Sequence, residues 1–177
     1  MLKRLITLLR HRWLDESDTR RLITPETIDQ LTRRVGASER RHTGEIRIVV
    51  EAGLPPSYLW RHCRDNTGIA ELTRQRATTL FGKLRVWDTA NNNGVLMYLL
   101  IAERKIELLA DRGVNALVSA AEWDAMVRRM GLAFASGRYE DGLTQALEEV
   151  SAILVANFPA DAAAANPNEL PDQPQIG

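Results

Sequence analysis

The sequence predicts an α/β (α+β) fold in which a small mixed β-sheet of three to four strands is sandwiched between helices. Three observations carry this expectation. Val95 to Ala102 is almost unbroken in its hydrophobicity, as a strand buried on both faces requires. Gly44 to Ala52 is short, β-branched and partly alternating, the pattern of a second strand closed by Gly53 and Pro55-Pro56. Apolar stripes at helical spacing flank and separate the two.

The elements follow in order. Leu2, Leu5, Ile6, Leu9 and Trp13 share one helical face, with Lys3, Arg4, Arg10 and Arg12 largely around it. Thr24-Pro25-Glu26 starts a second helix, with Thr24 as N-cap and Pro25 at the first position, where a missing N–H costs nothing. Ile28, Leu31 and Val35 carry it to about residue 40. After the Gly44–Ala52 strand, Ile69, Leu72, Arg76, Leu80 and Phe81 mark a helix ending near Gly82. Glu103-Arg104 breaks the apolar run and Lys105 to Ala110 alternates, so the two stretches form a hairpin. Val114 to Ala121, Trp123 to Phe134 and Leu143 to Leu154 complete the helices. A strand, helix, strand unit implies a right-handed crossover and a parallel pair, with the third strand antiparallel to the second. Trp87, Trp123, Tyr98 and Phe134 fall at core spacings. The domain is expected at residues 25–158, led by a basic amphipathic segment at 1–24 and followed by an Ala, Asn and Pro-rich disordered tail at 159–177.

Composition narrows the function. The 177 residues are 45% hydrophobic, enough for one domain with a sizeable core. The single cysteine, Cys63, cannot form an internal disulfide. Basic and acidic residues balance at 23 each, but the halves do not: residues 1–88 carry 17 basic and 11 acidic groups, a net of +6 offset by −6 in the remainder. A wholly basic nucleic-acid coat and a disordered acidic chain are both excluded, and no nucleic-acid partner is expected. No apolar run reaches the ~18 residues of a transmembrane helix. The charge break at Arg10 to Arg12 and the lack of a small-residue cleavage site argue against a secretory signal. The leading helix suits docking on an anionic membrane surface or a protein partner, or packing on its own domain.

Polar clusters converge at one sheet edge. In a parallel pair both strand starts share an edge, which places His42-Thr43-Gly44-Glu45 near Asn91-Asn92-Asn93-Gly94. The hairpin returns Asp111-Arg112-Gly113 to the same edge, with Asp88 a few residues upstream of the Asn run. Carboxylates, amide oxygens and a guanidinium there suit a hard cation or an oxyanion, although Asn, Asp and Gly also populate ordinary turns. The opposite edge offers Glu51, Glu103 and Arg104 as solvated turn charges. No EF-hand, G-x-G-x-x-G, P-loop, G-x-S-x-G or H-E-x-x-H pattern occurs.

Five stretches in this order resemble the TPM domain family: Arg41 to Arg47, Leu84 to Asp88, Asn92 to Leu100, Ala110 to Gly113 and Gly137 to Leu143. The similarity runs from about residue 38 to 158. It implies a mixed sheet between helices. Some plant members are described as acid phosphatases, and some members bind calcium at the loop before the Asn-Gly strand. This chain carries Asn92 where many secreted members have Asp, and Asp111-Arg112-Gly113 where those often have a glycine-aromatic-glycine run. It lacks their signal peptide and trailing membrane helix, so it resembles the compact bacterial, cytosolic branch.

Two functional expectations follow. One is a non-catalytic interaction or ion-binding module, cytoplasmic or peripheral at the inner face of the membrane, which meets a protein partner or anionic lipid through its N-terminal helix. The other is a metal-assisted phosphomonoester hydrolase of acid-phosphatase type. In the hydrolase, Asp88, Asn92, Asn93 and Asp111 would hold Mg2+ or Ca2+, Arg112 would pair with phosphate oxygens, and His42 or Glu45 would handle a proton beside Asp111.

Overall fold

The two strands expected from the apolar runs pair in parallel, Ile46–Glu51 (β1) lying against Val95–Leu100 (β2) with Ile46 opposite Val95 and Glu51 opposite Leu100. The computed structural model describes residues 2–161 and 166–177, with side chains from Ile6 onward. Lys105–Ala110 (β3) returns antiparallel to β2. The hairpin turn is a short 3-10 segment, Ile101–Glu103, closed by Arg104 at φ 50°. A fourth strand, Gln175–Ile176 (β4), pairs with the free side of β1, so the sheet order is β3-β2-β1-β4.

Alternation along the strands divides the core in two. Ile46, Ile48 and Val50 of β1, with Val95, Met97 and Leu99 of β2, face Pro25–Glu39 (α3), Ala120–Ala135 (α7) and Tyr139–Asn157 (α8). Val49, Leu96, Tyr98 and Leu100 face Pro56–Asp65 (α4) and Ile69–Lys83 (α5). Both sheet faces are thereby covered, which explains why the central strand β2 reads as a continuous apolar run. Capping fixes the helix starts as the residue types require: Thr24 accepts the Thr27 N–H, and Ser119 with Glu122 forms a capping box.

Four expectations are corrected. Glu16–Leu22 (α2), capped by an Asp15–Asp18 box, and α4 were not expected as separate helices, because neither carries a long apolar stripe. The chain after Pro159 is not a detached tail among the described residues: Pro159 bridges His42, Leu170 is buried in the α4–α5 core, and β4 extends the sheet. Its composition looked disordered because it is held mostly through main-chain atoms, which leave no signature in side-chain type. Glu51 is not a solvated turn charge but a buried side chain that accepts from Arg76 and Tyr98. Trp87 is half exposed, its neighbour Val86 taking the core position instead.

Candidate functional site

The expected convergence at the strand starts is present. Asn92 adopts the left-handed conformation at φ 53°, which turns its carbonyl towards the Gly113 N–H at 2.9 Å and its side chain towards Arg112. Both Nε and Nη2 of Arg112 donate to Asn92 Oδ1, at 2.9 and 2.7 Å. Gly113 is required here, since a Cβ would lie 2.6 Å from the Asn92 carbonyl oxygen. The Asp111 N–H donates to the Gly94 carbonyl, continuing the hairpin ladder to the edge. Asp111 then caps the single helical turn Arg112–Asn115 (α6), its Oδ1 accepting the Arg112 N–H at 2.7 Å. Its other oxygen, Oδ2, has no hydrogen-bond partner, although the residue is only 8% exposed and that atom is buried.

The remaining candidates are committed elsewhere. Asn93 is fully buried; its Oδ1 accepts from the Thr89 hydroxyl at 3.3 Å and its Nδ2 donates to Thr43 at 3.2 Å, so its amide locks the loop. Asp88 lies half exposed beside Arg85 at 3.6 Å. The set Asp88, Asn92, Asn93 and Asp111 therefore does not fit a hard cation as arranged. One amide oxygen is held by a guanidinium, another by a hydroxyl, one carboxylate is half exposed beside Arg85, and Asp111 Oδ2 is buried without a partner. Among the described residues no group of three His, Cys, Asp or Glu is placed to hold a metal ion.

His42 and Glu45 flank the edge in sequence, but their polar atoms turn to other partners. His42 is buried, with Nδ1–H donating to the Gly44 carbonyl at 3.0 Å and Nε2 2.7 Å from Ser38 Oγ, itself bonded to Ser151. Burial pushes its pKa down to about 4, which keeps the ring neutral at neutral pH. Glu45 accepts the Leu170 N–H at 3.1 Å, and burial raises its pKa. Next to it Glu39 accepts the Ile46 N–H at 3.0 Å; burial, reinforced by the nearby Glu45 and Asp172, pushes its pKa up to about 8. Sequence reasoning missed Glu39 and Asp172, because a helix-end glutamate and an aspartate in a Pro-rich stretch carry no spacing signal that joins them.

A second feature occupies the opposite, C-terminal end of the strands. Leu2–Trp13 (α1) is anchored there by His11, which is buried beside Gly53. His11 Nδ1 accepts the Leu54 N–H at 3.0 Å, so Nε2 carries the proton and faces Glu103 at 3.1 Å. Arg10 adds a bond to the Ala102 carbonyl at 3.2 Å. A Cβ on Gly53 would sit 2.7 Å from the His11 carbonyl oxygen, so the helix lies directly on this turn. With His11 turned inward, the far side of the helix faces out: Ile6, Leu9 and Trp13 are 48, 45 and 79% exposed. Arg10 and Arg12, also exposed, flank this stripe. Leu2, Leu5, Lys3 and Arg4, expected on and around the same face, lie outside the described side chains.

Together these features define a three-layer α/β sandwich with a parallel strand pair, a hairpin, and an Asn-Gly loop that meets an Asp-Arg-Gly turn. The chain belongs to the TPM domain family, whose model matches residues 17–153. Among solved structures it is similar to the BA42 protein from the psychrophilic bacterium Bizionia argentinensis. That likeness has 25% identity and a TM-score of 0.71, and covers 87% of this chain and 94% of that one. It is also similar in fold to the N-terminal domain of a protein from P. gingivalis, at 18% identity and a TM-score of 0.59, covering 77% of this chain and 79% of that one. A search of curated proteins finds no significant match. Among the described residues no helix is long and apolar enough to cross a membrane.

Proposed function

We propose that this TPM-domain protein is a non-catalytic interaction module that docks on an anionic membrane surface through α1, as a cytoplasmic protein at the inner face. The observation that carries this reading is the outward stripe of Ile6, Leu9 and Trp13 between Arg10 and Arg12. An amphipathic helix that packed for stability alone would turn its apolar face inward; here His11 and Leu8 point to the fold and the apolar stripe points away. Apolar side chains entering the acyl boundary and arginines meeting lipid phosphates are the two contributions such a helix needs.

The experiment is vesicle sedimentation with the full chain. Binding to phosphatidylcholine vesicles containing phosphatidylserine is expected, with little to phosphatidylcholine alone. Each buried apolar side chain contributes on the order of 1–2 kcal/mol, so Leu9→Ser combined with Trp13→Ser should weaken binding about tenfold or more. Equal binding by the wild type and the double variant would remove the lipid reading and leave a protein partner to be sought.

The hydrolase alternative draws its support from the buried, unpartnered Oδ2 of Asp111. Arg112 is spent on Asn92, and His42 and Glu45 are turned to structural partners rather than to Asp111. The non-catalytic reading therefore expects no phosphate release from an aryl phosphate above the blank, with Mg2+ or Ca2+ present. Release that disappears in Asp111→Ala would establish the hydrolase instead.

A further inference from the structure

Residues 166–177 lie along the outer side of β1, held mostly through their main chain. The Leu170 N–H donates to Glu45 Oε2 at 3.1 Å. Nη1 of Arg47 donates to the carbonyls of Pro171 and Gln173, at 2.8 and 2.7 Å, and Nη2 donates to Gln175 Oε1 at 3.2 Å. Two rungs of parallel ladder follow, Val49 with Gln175 and Val50 with Ile176. The Gly177 N–H then donates to Val50 O, and the Ala52 N–H donates to Gly177 O, both at 2.9 Å. The clamping side chains belong to the folded body and are buried, Glu45 at 2% and Arg47 at 8% exposure.

Nearly all of these contacts address main-chain atoms of the segment. Three side chains of the segment enter the body: Leu170 in the α4–α5 core, Pro174 buried, and Ile176 half buried against the core on the other sheet face. An edge that offers ladder hydrogen bonds, a carboxylate for an amide, a guanidinium for two carbonyls and places for three side chains of the segment has the chemistry of strand addition. Prolines at 167, 171 and 174 keep the segment extended before it docks, which lowers its ordering cost. The ladder itself is only two residues long, so the attachment opens more readily than the central strands.

We propose that the outer side of β1 is a strand-accepting groove, and that its occupant in trans is residues 166–177 of a second copy of this chain, seated as in the single molecule. The segment in the groove argues for this occupant, since a second copy presents the same amide, the same two carbonyls and the same Leu, Pro and Ile. The contacts are equal in cis and in trans, so the balance is set by the effective concentration of the tethered segment and shifts once the tether's own grip is weakened.

Complementation tests this. Arg47→Ala damages the groove and leaves the segment intact; Leu170→Ser damages the segment and leaves the groove intact. Each full-length variant alone is expected to be monomeric by light scattering, with residues 166–177 exchanging amide hydrogens at least tenfold faster than in the wild type. Mixed in equal amounts, they are expected to form a one-to-one dimer in which the intact segment is protected again. A mixture that stays monomeric while both segments exchange fast would overturn the proposal, and so would undiminished protection in the single variants, because the clamps would then not hold the segment. If Arg47→Ala does not fold, the Leu170→Ser chain is titrated with a synthetic peptide of residues 166–177. Saturable binding absent with a scrambled peptide supports the groove, and no binding overturns it.

Discussion

Gly94→Ala will lower the thermal unfolding midpoint by about 6–12 °C, corresponding to about 3 kcal/mol or more for a chain of this size. The reason is space rather than backbone angle. A Cβ built on Gly94 would lie 1.9 Å from the Val86 carbonyl oxygen, far inside van der Waals contact. Neither neighbour can readily yield. Val86 is fully buried and its N–H donates to Phe81, while the Gly94 carbonyl accepts the Asp111 N–H that joins the hairpin to the Asn loop. The substitution should therefore loosen the whole edge that holds Asn92, Asp111 and Arg112. Gly131→Ala is the control: nothing lies within 4 Å of its Cβ, and it sits inside α7, where alanine is favoured by about 0.5–1 kcal/mol. Circular dichroism melts of both variants decide the matter; a Gly94→Ala midpoint within about 2 °C of the wild type would show that the loop relaxes freely.

Glu51→Ala is expected to cost about 3–5 kcal/mol, read as a fall in the urea midpoint. Glu51 ends β1 and is buried under α5, where it takes the Arg76 guanidinium through Nε at 3.0 Å and through a second bond from Nη2. The Tyr98 hydroxyl donates to the same carboxylate at 2.8 Å. Removing the acceptor strands a mostly buried cation and a buried hydroxyl together, and the unpaired groups dominate the loss. Glu51→Gln keeps an acceptor oxygen and loses the charge, so a smaller cost of about 1–3 kcal/mol is expected. The exposed pair Arg138 and Asp141 gives the contrast, since Asp141→Ala should change stability by less than about 1 kcal/mol. Equal effects at Glu51 and Asp141 would mean that water reaches the Arg76 pair.

The body of the fold was legible because its signals are local or periodic. β2 declared itself by apolar continuity, α3 by Thr24-Pro25, and the parallel pair by the helix between two strands. The edge where Asn92 meets Arg112 also followed from topology, because parallel strands start together and a hairpin returns to its origin. What the side chains do there was not legible. Asn93 serves Thr89 and Thr43, and His42 serves Gly44 and Ser38, by side-chain orientations that leave no trace in spacing. Glu51 read as a turn charge because a lone glutamate at a strand end is usually solvated; its partner lies 25 residues away on α5.

The N-terminal helix shows the division most clearly. Its apolar stripe and flanking arginines are properties of the sequence, since a 3.6-residue period needs no partner to define a face. Which face turns outward was decided by the fold, through one histidine whose ring reaches the Leu54 N–H and Glu103. The closing segment divides in the same way. Its extended, proline-rich character is written in residues 166–177, whereas its place beside β1 depends on Arg47 and Glu45, more than a hundred residues upstream. Local geometry follows from residue type and order along the chain. The pairing of distant polar groups follows only once the core has closed and each buried donor or acceptor must find the nearest partner within reach.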